Sequence, residues 1–395
     1  MKLGFYYHIV LYRNSKGIMI PSFLGVFLDS LAPLVTKLII FGHEGKDHEK
    51  QACDYCLKSE NIDWINLGFK TPFWDRVLFP GKSLKGIKER ISSCDSMLVR
   101  APSPLAPYFY SKFGKQTKVC YLLVGDYIEE LKTQKESFHR KIPITLLTYL
   151  NEFLQNRAIK KCTTLVNSRR LFDKYSGYAK DLHEVRTTTI SKADFYERSD
   201  SFDPTDKEIN LLFTGRISIT KGVLDVIVLA SHLVKEGRKV KVHFVGWEDN
   251  PDRPVEKQIT KLATELCIQD NILFHGKKSV GNELFSFYRM AQVYVLPTQT
   301  HSEGFPRTLW EAMANSLPIV TTKVGSIPYF IDNERHALLV EPCDTDELLA
   351  AVKRIITDGK IRKSLIANAF DLAKDVTLER QSEHLVKIIK SRLNE

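Results

Sequence analysis

Residues 300–320 read THSEGFPRTLWEAMANSLPIV and hold two acids, Glu303 and Glu311, on either side of a Gly-Phe-Pro. Pro306 suits the first position of a helix, because its missing N–H would go unpaired there anyway. The N–H groups of Arg307, Thr308 and Leu309 would then point out of the helix end with the helix dipole behind them, a seat for a phosphate or diphosphate. Glu311, further into the helix, could accept hydrogen bonds from a pair of hydroxyls such as those of a ribose. Glu303, on the loop before Gly304 and Phe305, is placed for hydroxyls of whatever is joined beyond the diphosphate. One ligand meets all three requirements, a nucleotide diphosphate sugar, with His301 as a further candidate to line the sugar pocket.

A second stretch, LLFTGRISITKGVLDVI, points the same way. Gly215 allows a tight turn after a strand, and Arg216 and Lys221 lie on the loop that follows. Two cations at that edge could neutralise a departing diphosphate, the task a divalent metal performs elsewhere. Neither of these two loops carries an Asp-x-Asp motif to hold such a metal, so none is expected, and no cofactor beyond the nucleotide sugar substrate.

These residues need a scaffold that brings several loops to one edge. The apolar runs INLLFTG, VKVHFVG, NILFHG, QVYVLPT, PIVTT and HALLVEP alternate with amphipathic segments such as VLDVIVLASHLVKEG, as a parallel sheet covered by helices requires. In such sheets ligands sit beyond the carboxyl ends of the strands. The first half follows the same grammar with LGFYYHIV, TKLIIFG, SMLVRAP, KVCYLLVG and TTLVNSR. A polar, proline-bearing stretch divides the halves. The expected organisation is a first domain over 1–198, a linker over 199–208, a second domain over 209–375, and a helix over 376–395 that packs back on the first domain.

The pieces GR and KG (Gly215, Arg216, Lys221, Gly222), HFVG ending at Gly246, ILFHG ending at Gly276, VYVLPT with EGFPRTLWEAMA, PIVTTKVGSIPYFI and ALLVEPCD occur in an order that resembles the donor domain of retaining glycosyltransferases of the GT-B fold, family 4. The resemblance implies an α/β protein of two Rossmann-like doubly wound domains facing across a cleft. It implies that Glu303 touches donor-sugar hydroxyls, that Glu311 touches the ribose, and that Arg216 and Lys221 hold the diphosphate. The backbone around Gly276 and Lys277 would meet the base. Transfer would proceed with retention of configuration, by same-face attack assisted by the departing phosphate. Arg307 adds a cation at the helix entrance, and Ser326 and Tyr329 stand where a second Gly and a Glu are usual. Where that family often carries a histidine after the first domain's fifth strand, this chain has Gly125 and Asp126, which makes Asp126 a candidate in its place. Arg100 and Ser103 in VRAPSP, and Asn14 and Gly17 in the first loop, are candidates for recognising the acceptor.

Composition bounds the rest. At 395 residues with 43% apolar, 26% charged and 10% aromatic content, the chain reads as an ordinary globular protein of two domains. No apolar run is long enough to span a membrane, and the first residues read as a strand and not as a signal peptide, so a cytoplasmic location is expected. Seven scattered cysteines do not form a disulfide framework. Cys53 and Cys56 make a lone C-x-x-C without partners at zinc spacing. Net charge is +10, and between 82 and 118 eight bases face Glu89 and Asp95. Such an excess attracts acidic partners. The basic, amphipathic stretch 140–161 reads either as a core-packing helix or as one lying on an anionic membrane.

The function expected is hexosyl transfer to a polysaccharide, glycolipid or lipid-linked acceptor, with no specific nucleic acid partner. Three rivals stand beside it. A nucleotide-sugar epimerase of related fold would form product without an acceptor. A dinucleotide oxidoreductase would need G-x-G-x-x-G after a strand, which is absent. A catalytically silent sugar- or polyanion-binding protein would explain the charge, but not two acids and two cations at one sheet edge.

Overall fold

The computed structural model describes residues 1–133, 138–203, 208–300 and 304–393. The chain divides into two compact units, Met1–Thr187 with Leu378–Glu395, and Thr188–Thr377. The division falls ahead of the polar stretch 199–208 expected to be the linker. The physical reason is that the segment before that stretch is tied into the second unit. Arg198 donates to the carbonyls of Arg289 (2.8 Å), Ala291 (2.8 Å) and Ser316 (3.2 Å), and Asp200 forms a two-pronged pair with Arg362. Residues 204–207 lie outside the described residues.

The first unit is built on nine strands, β1 (Lys2–Asn14), β2 (Gly17–Ile20), β3 (Lys37–Glu44), β4 (Tyr55–Cys56), β5 (Ile62–Phe69), β6 (Ser96–Ala101), β7 (Lys118–Leu123), β8 (Thr163–Val166) and β9 (Asp181–Glu184). The parallel part runs β5-β3-β1-β6-β7-β8-β9, so the order reverses between β1 and β6. β2 folds back antiparallel on the end of β1 and pairs with β4. Apolar side chains fill both faces of the sheet, as a parallel sheet covered on both sides demands. The last helix, Leu378–Ser391, is part of this unit: Leu385, Val386, Ile388 and Ile389 join the cluster formed by Leu24, Leu28 and Leu31. Ser30 and Ser382 hydroxyls lie 2.6 Å apart, and Lys390 donates to the Leu34 carbonyl.

The second unit has six parallel strands, β10 (Ile209–Arg216), β11 (Val240–Trp247), β12 (Ile272–Phe274), β13 (Val293–Leu296), β14 (Ile319–Thr322) and β15 (Leu338–Val340). Their order is β12-β11-β10-β13-β14-β15, the doubly wound arrangement with its reversal between β10 and β13. All six expected strands are present. The residues of β13, β14 and β15 are wholly buried and those of β10 and β11 mostly so, which is why these strands read as largely apolar runs; β12, at the edge of the sheet, is only partly buried.

Candidate functional site

In the second unit the loops after β10 and β13 leave the sheet on either side of its reversal, where open α/β sheets place their ligands. Gly215, at φ +122°, ends the buried part of β10. A short 3-10 turn, Ile219–Lys221, leads into the helix Val223–Lys235, capped by Gly222 at φ +69°. That glycine has two reasons to be there. Its φ is left-handed, and a Cβ would lie 2.0 Å from the carbonyl oxygen of Pro297, in the segment after β13. The same two loops are joined by Gln299 N–H donating to the Thr220 carbonyl (2.8 Å) and by the Gln299 amide donating to Asp225 (2.8 Å). The loop that carries Lys221 and the chain leading to residue 301 are therefore positioned by the same set of contacts.

Neighbouring strand ends close in the same way. A Cβ on Gly246 would meet the Gly215 carbonyl oxygen at 1.7 Å, and Gly246 N–H donates to the Gly276 carbonyl. Gly276 has φ +67° with open space around it, so its backbone requirement is conformational alone. Arg216 pairs with Asp249 at 3.2 Å, both half-exposed, an arrangement that holds the guanidinium weakly and leaves it able to exchange partners. Lys277 lies over the exposed indole of Trp247, 5.9 Å from the ring centre. Trp247 was not among the expected site residues; an aromatic at a strand end carries no sequence signal that separates a base-stacking role from packing.

The helix Arg307–Ala314 begins one residue later than expected, with Pro306 as its N-cap at ψ 122°. Leu309 N–H donates to the Pro306 carbonyl, so it does not point out of the helix end, which corrects the three-donor expectation. Phe305 is also corrected. It is buried, stacked on Trp310 at 4.2 Å and edge-on to Phe330, and so anchors the loop instead of facing a ligand. His301, Ser302 and Glu303 lie outside the described residues. Gly304 is partly exposed with open space where a Cβ would be, and the Thr308 methyl is 3.9 Å from a Cβ built on Gly215, which places the first turn of this helix beside the end of β10.

Glu311 is 4% exposed and is not an open carboxylate. One oxygen accepts from the Thr189 hydroxyl at 2.5 Å and the other from the Tyr288 hydroxyl at 2.7 Å. Tyr288 in turn is 2.5 Å from Thr214 Oγ1, and Tyr294 is 3.1 Å from the same oxygen. Burial, and secondarily the Glu311 charge, push the Tyr288 phenol well above its ordinary range, so it stays a donor. A carboxylate has about four lone-pair directions, so each Glu311 oxygen keeps one beyond the bond it already accepts. None of Thr189, Thr214 or Tyr288 was foreseen, because nothing local marks residues that meet only in the fold.

In the first unit, Asp126 is not a free acid at the end of β7. It accepts from Lys174 Nζ at 2.8 Å and from Ile128 N–H at 3.0 Å, and Lys174 also donates to Glu152 at 2.6 Å. The group expected as a catalytic candidate thus caps a helix and balances a lysine. Asn14 and Gly17 are likewise explained locally, as the last pair of the β1–β2 hairpin, with Asn14 accepting from Lys16 N–H and Gly17 at φ +132°. Ser103 is fully buried and hydrogen-bonded to Tyr6 Oη at 3.0 Å. Arg100 lies with its guanidinium 4.7 Å above the Tyr7 ring. Cys53 and Cys56 donate to the carbonyls of Val10 and Lys16 and do not form a metal pair.

Residues 195–371 match the family model described as "Glycosyl transferases group 1", which takes in most of the second unit. Among curated relatives, a D-inositol 3-phosphate glycosyltransferase of Saccharomonospora viridis is 28% identical over 48% of this chain and 44% of its own length. Protein CapJ of Staphylococcus aureus is 25% identical over 75% and 71%. An alpha-D-kanosaminyltransferase of Streptomyces kanamyceticus is 27% identical over 54% and 52%. The chain thus spans about half the length of the first and last of these. In solved structures, Anabaena Alr3699/HepE in complex with UDP superposes with a TM-score of 0.73 at 14% identity, covering 99% of this chain and 100% of that one. A sucrose-phosphate synthase from Thermosynechococcus elongatus gives 0.75 at 16%, covering 100% and 99%. The second unit is thus similar to glycosyl transferases group 1 over the matched residues, and the chain has the GT-B fold.

Proposed function

We propose that this protein transfers a hexosyl group from a nucleotide diphosphate sugar to an acceptor hydroxyl, with the donor held by the second unit. The observation that carries the reading is the junction at Gly222. There the loop bearing Arg216 and Lys221 is fixed by backbone contact to the segment after β13, whose last described residue, Thr300, comes just before the stretch of sequence that holds Glu303. Arg216 exchanges Asp249 for the diphosphate, and Lys221 adds a second positive charge as the bond to the sugar breaks. Glu311, already oriented by Thr189 and Tyr288, offers its remaining lone pairs to the ribose. The base packs at the edge formed by Gly276, Lys277 and Trp247. The UDP bound by the Anabaena structure supports a uridine nucleotide as the first donor to try.

Two finer features belong to the same proposal. Transfer proceeds with retention and without a metal, the two cations supplying the charge that a metal would. The acceptor is a polysaccharide, glycolipid or lipid-linked molecule met at an anionic membrane surface. The second feature is supported by the helix Phe138–Ile159 of the first unit, whose polarity is inverted. Thr148, Asn151, Glu152 and Gln155 are buried, while Ile142, Leu146, Tyr149, Leu150 and Phe153, at spacings of three and four, face outward. Arg157 lies over the Phe153 ring, and Lys82 lies over Phe79, itself half-exposed near Trp74 and Leu78. An apolar stripe with cations at its margin suits an interface of acyl chains and anionic headgroups. Among the described residues no helix is long and apolar enough to cross a membrane.

A thermal-shift screen of nucleoside diphosphates and their sugars tests the donor assignment. A ligand at a hundredfold excess over its Kd stabilises by about 2.7 kcal/mol, a shift of several degrees. Stabilisation by a nucleoside diphosphate supports the reading; none from any of them overturns it.

A further inference from the structure

The carboxyl ends of four neighbouring strands of the first unit, β5, β3, β1 and β6, bring together a group of bases without acids to match them. His8 lies on β1 where its pairing with β3 is irregular, His43 on β3, Lys70 just beyond β5, Arg100 on β6, and Arg76 on the short helix Phe73–Leu78. Arg76 is 5% exposed, and its Nε and one Nη are buried without a hydrogen-bond partner. Arg100 Nε, His8 Nδ1 and His43 Nε2 are buried without partners as well. His43 Nδ1 lies 3.3 Å from the Gly68 carbonyl, and the Arg100 guanidinium is stacked over Tyr7. Among the described residues, Lys70, Arg76 and Arg100 form no ion pair. Glu49, the acid whose field reaches Lys70 and His43, is spent on the N–H of Lys46.

The electrostatics describe one shared field. Burial first, and then Lys70, Arg76, Arg100 and His43, hold His8 well below its ordinary range. Burial and Arg76 push His43 down to about 4, and burial lowers Lys70, Arg76 and Arg100. Taking a guanidinium out of water without a counter-charge is costly, and a buried arginine that serves stability is paired. Here the missing partner must be something that arrives. A planar fork of N–H donors with neutral imidazoles beside it matches an oxyanion, whose two or three oxygens can each accept.

We propose that Arg76 and Arg100, with Lys70, His8 and His43, form a binding site for an anionic group, a phosphate or a carboxylate, carried by the acceptor. The inference rests on the glycosyltransferase reading for the word acceptor; the anion site itself stands on the first unit alone. It assigns the acceptor to one chemical class, a phosphorylated or uronic-acid-containing sugar or a phosphate-linked lipid, and not a neutral glycan.

The test uses the full chain and two probes, inorganic phosphate and acetate, with melting temperature and calorimetric affinity as readouts. Arg76→Met, Arg100→Met and the second-unit pair R216Q/K221Q are compared with wild type. The expected result is that one or both anions raise the wild-type melting temperature, that R76M and R100M weaken that anion at least tenfold, and that R216Q/K221Q retains it. R76M should also melt higher than wild type without ligand, because an unpaired buried charge has gone. R100M is judged by the same anion affinities and the same ligand-free melting temperature. The stronger anion distinguishes a phosphate-bearing from a carboxylate-bearing acceptor. The proposal is overturned if neither anion binds, if binding is lost in R216Q/K221Q but kept in R76M and R100M, or if R76M is destabilised without ligand. UDP affinity, measured on the same variants, reports separately on the donor reading: its absence in wild type would sink that reading and leave the anion site standing.

Discussion

Gly222 packs against Pro297 so closely that a methyl group on the glycine would sit 2.0 Å from the proline's carbonyl oxygen and 2.9 Å from its Cγ. The loop after β10 cannot take an ordinary side chain at that point without leaving the loop after β13. Gly222→Ala adds a φ of +69° to that clash. We expect it to cost about 1–3 kcal/mol of stability and to lower nucleotide affinity at least tenfold. Gly276→Ala has the positive φ but open space around it, and should cost only about 1 kcal/mol. Denaturation and UDP calorimetry on both variants check the contrast. Equal behaviour would mean that the contact between the loops is not what positions the site.

The second prediction concerns the acid that the fold holds in place. Tyr288→Phe removes a hydroxyl that donates to Glu311 and lies 2.5 Å from Thr214. Leaving a buried carboxylate short of a donor costs about 1–3 kcal/mol. Because Glu311 would then lose the contact that orients it, nucleotide affinity should fall along with stability. Thr189→Val should act in the same direction through the other oxygen. Unchanged nucleotide affinity in both variants, measured where both are folded, would show that Glu311 only packs.

Much of this was legible in the sequence, and the reason is physical. The central strands of the second unit are buried on both faces, so they read as largely apolar runs. β5 escaped notice because it is half exposed, with Asp63, Asn66 and Gly68 interrupting its apolar residues. β9, Asp181–Glu184, is polar and only partly buried. The turn of the β1–β2 hairpin was read as a binding loop, since Asn and Gly serve both. Residue type alone could not show that Phe305 faces Trp310, or that Asp126 is engaged by Lys174. The partners of Glu311 and the unpaired bases around Arg76 exist only once distant strands are side by side.

Acid should loosen the second unit through His243. Burial, with His275 and Lys241 adding to it, lowers this imidazole from 6.5 to about 4, while its ring nitrogens contact His275 at 2.9 Å and Asn210 at 3.0 Å. A proton is bound by the unfolded chain below about 6.5 but by the folded one only near 4. Stability is therefore full above the unfolded value and declines as pH falls through that window, by at most about 1.4 kcal/mol per pH unit for this group. His243→Gln should flatten the decline between pH 6.5 and 4. An unchanged pH profile of melting temperature would contradict it.

The outward stripe of the helix Phe138–Ile159 gives the proposed membrane surface its test. Leu146→Glu with Phe153→Glu should abolish sedimentation with anionic vesicles while leaving UDP affinity intact, since both residues lie in the first unit and face outward. High salt should weaken binding less than the double substitution does, because screening touches the cations and not the apolar contact. No vesicle binding by wild type at low salt would remove the membrane from the account.

The central claim is that one site holds the diphosphate with Arg216 and Lys221 and the sugar with Glu303. The measurement that tests it most directly is UDP affinity and acceptor-dependent transfer, compared in wild type, Glu303→Ala and R216A/K221A, each with and without EDTA. The account predicts that E303A keeps UDP affinity and loses transfer, that R216A/K221A loses both by at least tenfold, and that EDTA changes neither quantity in wild type. Transfer that survives in R216A/K221A, or UDP affinity that falls as far in E303A as in the double variant, would contradict it.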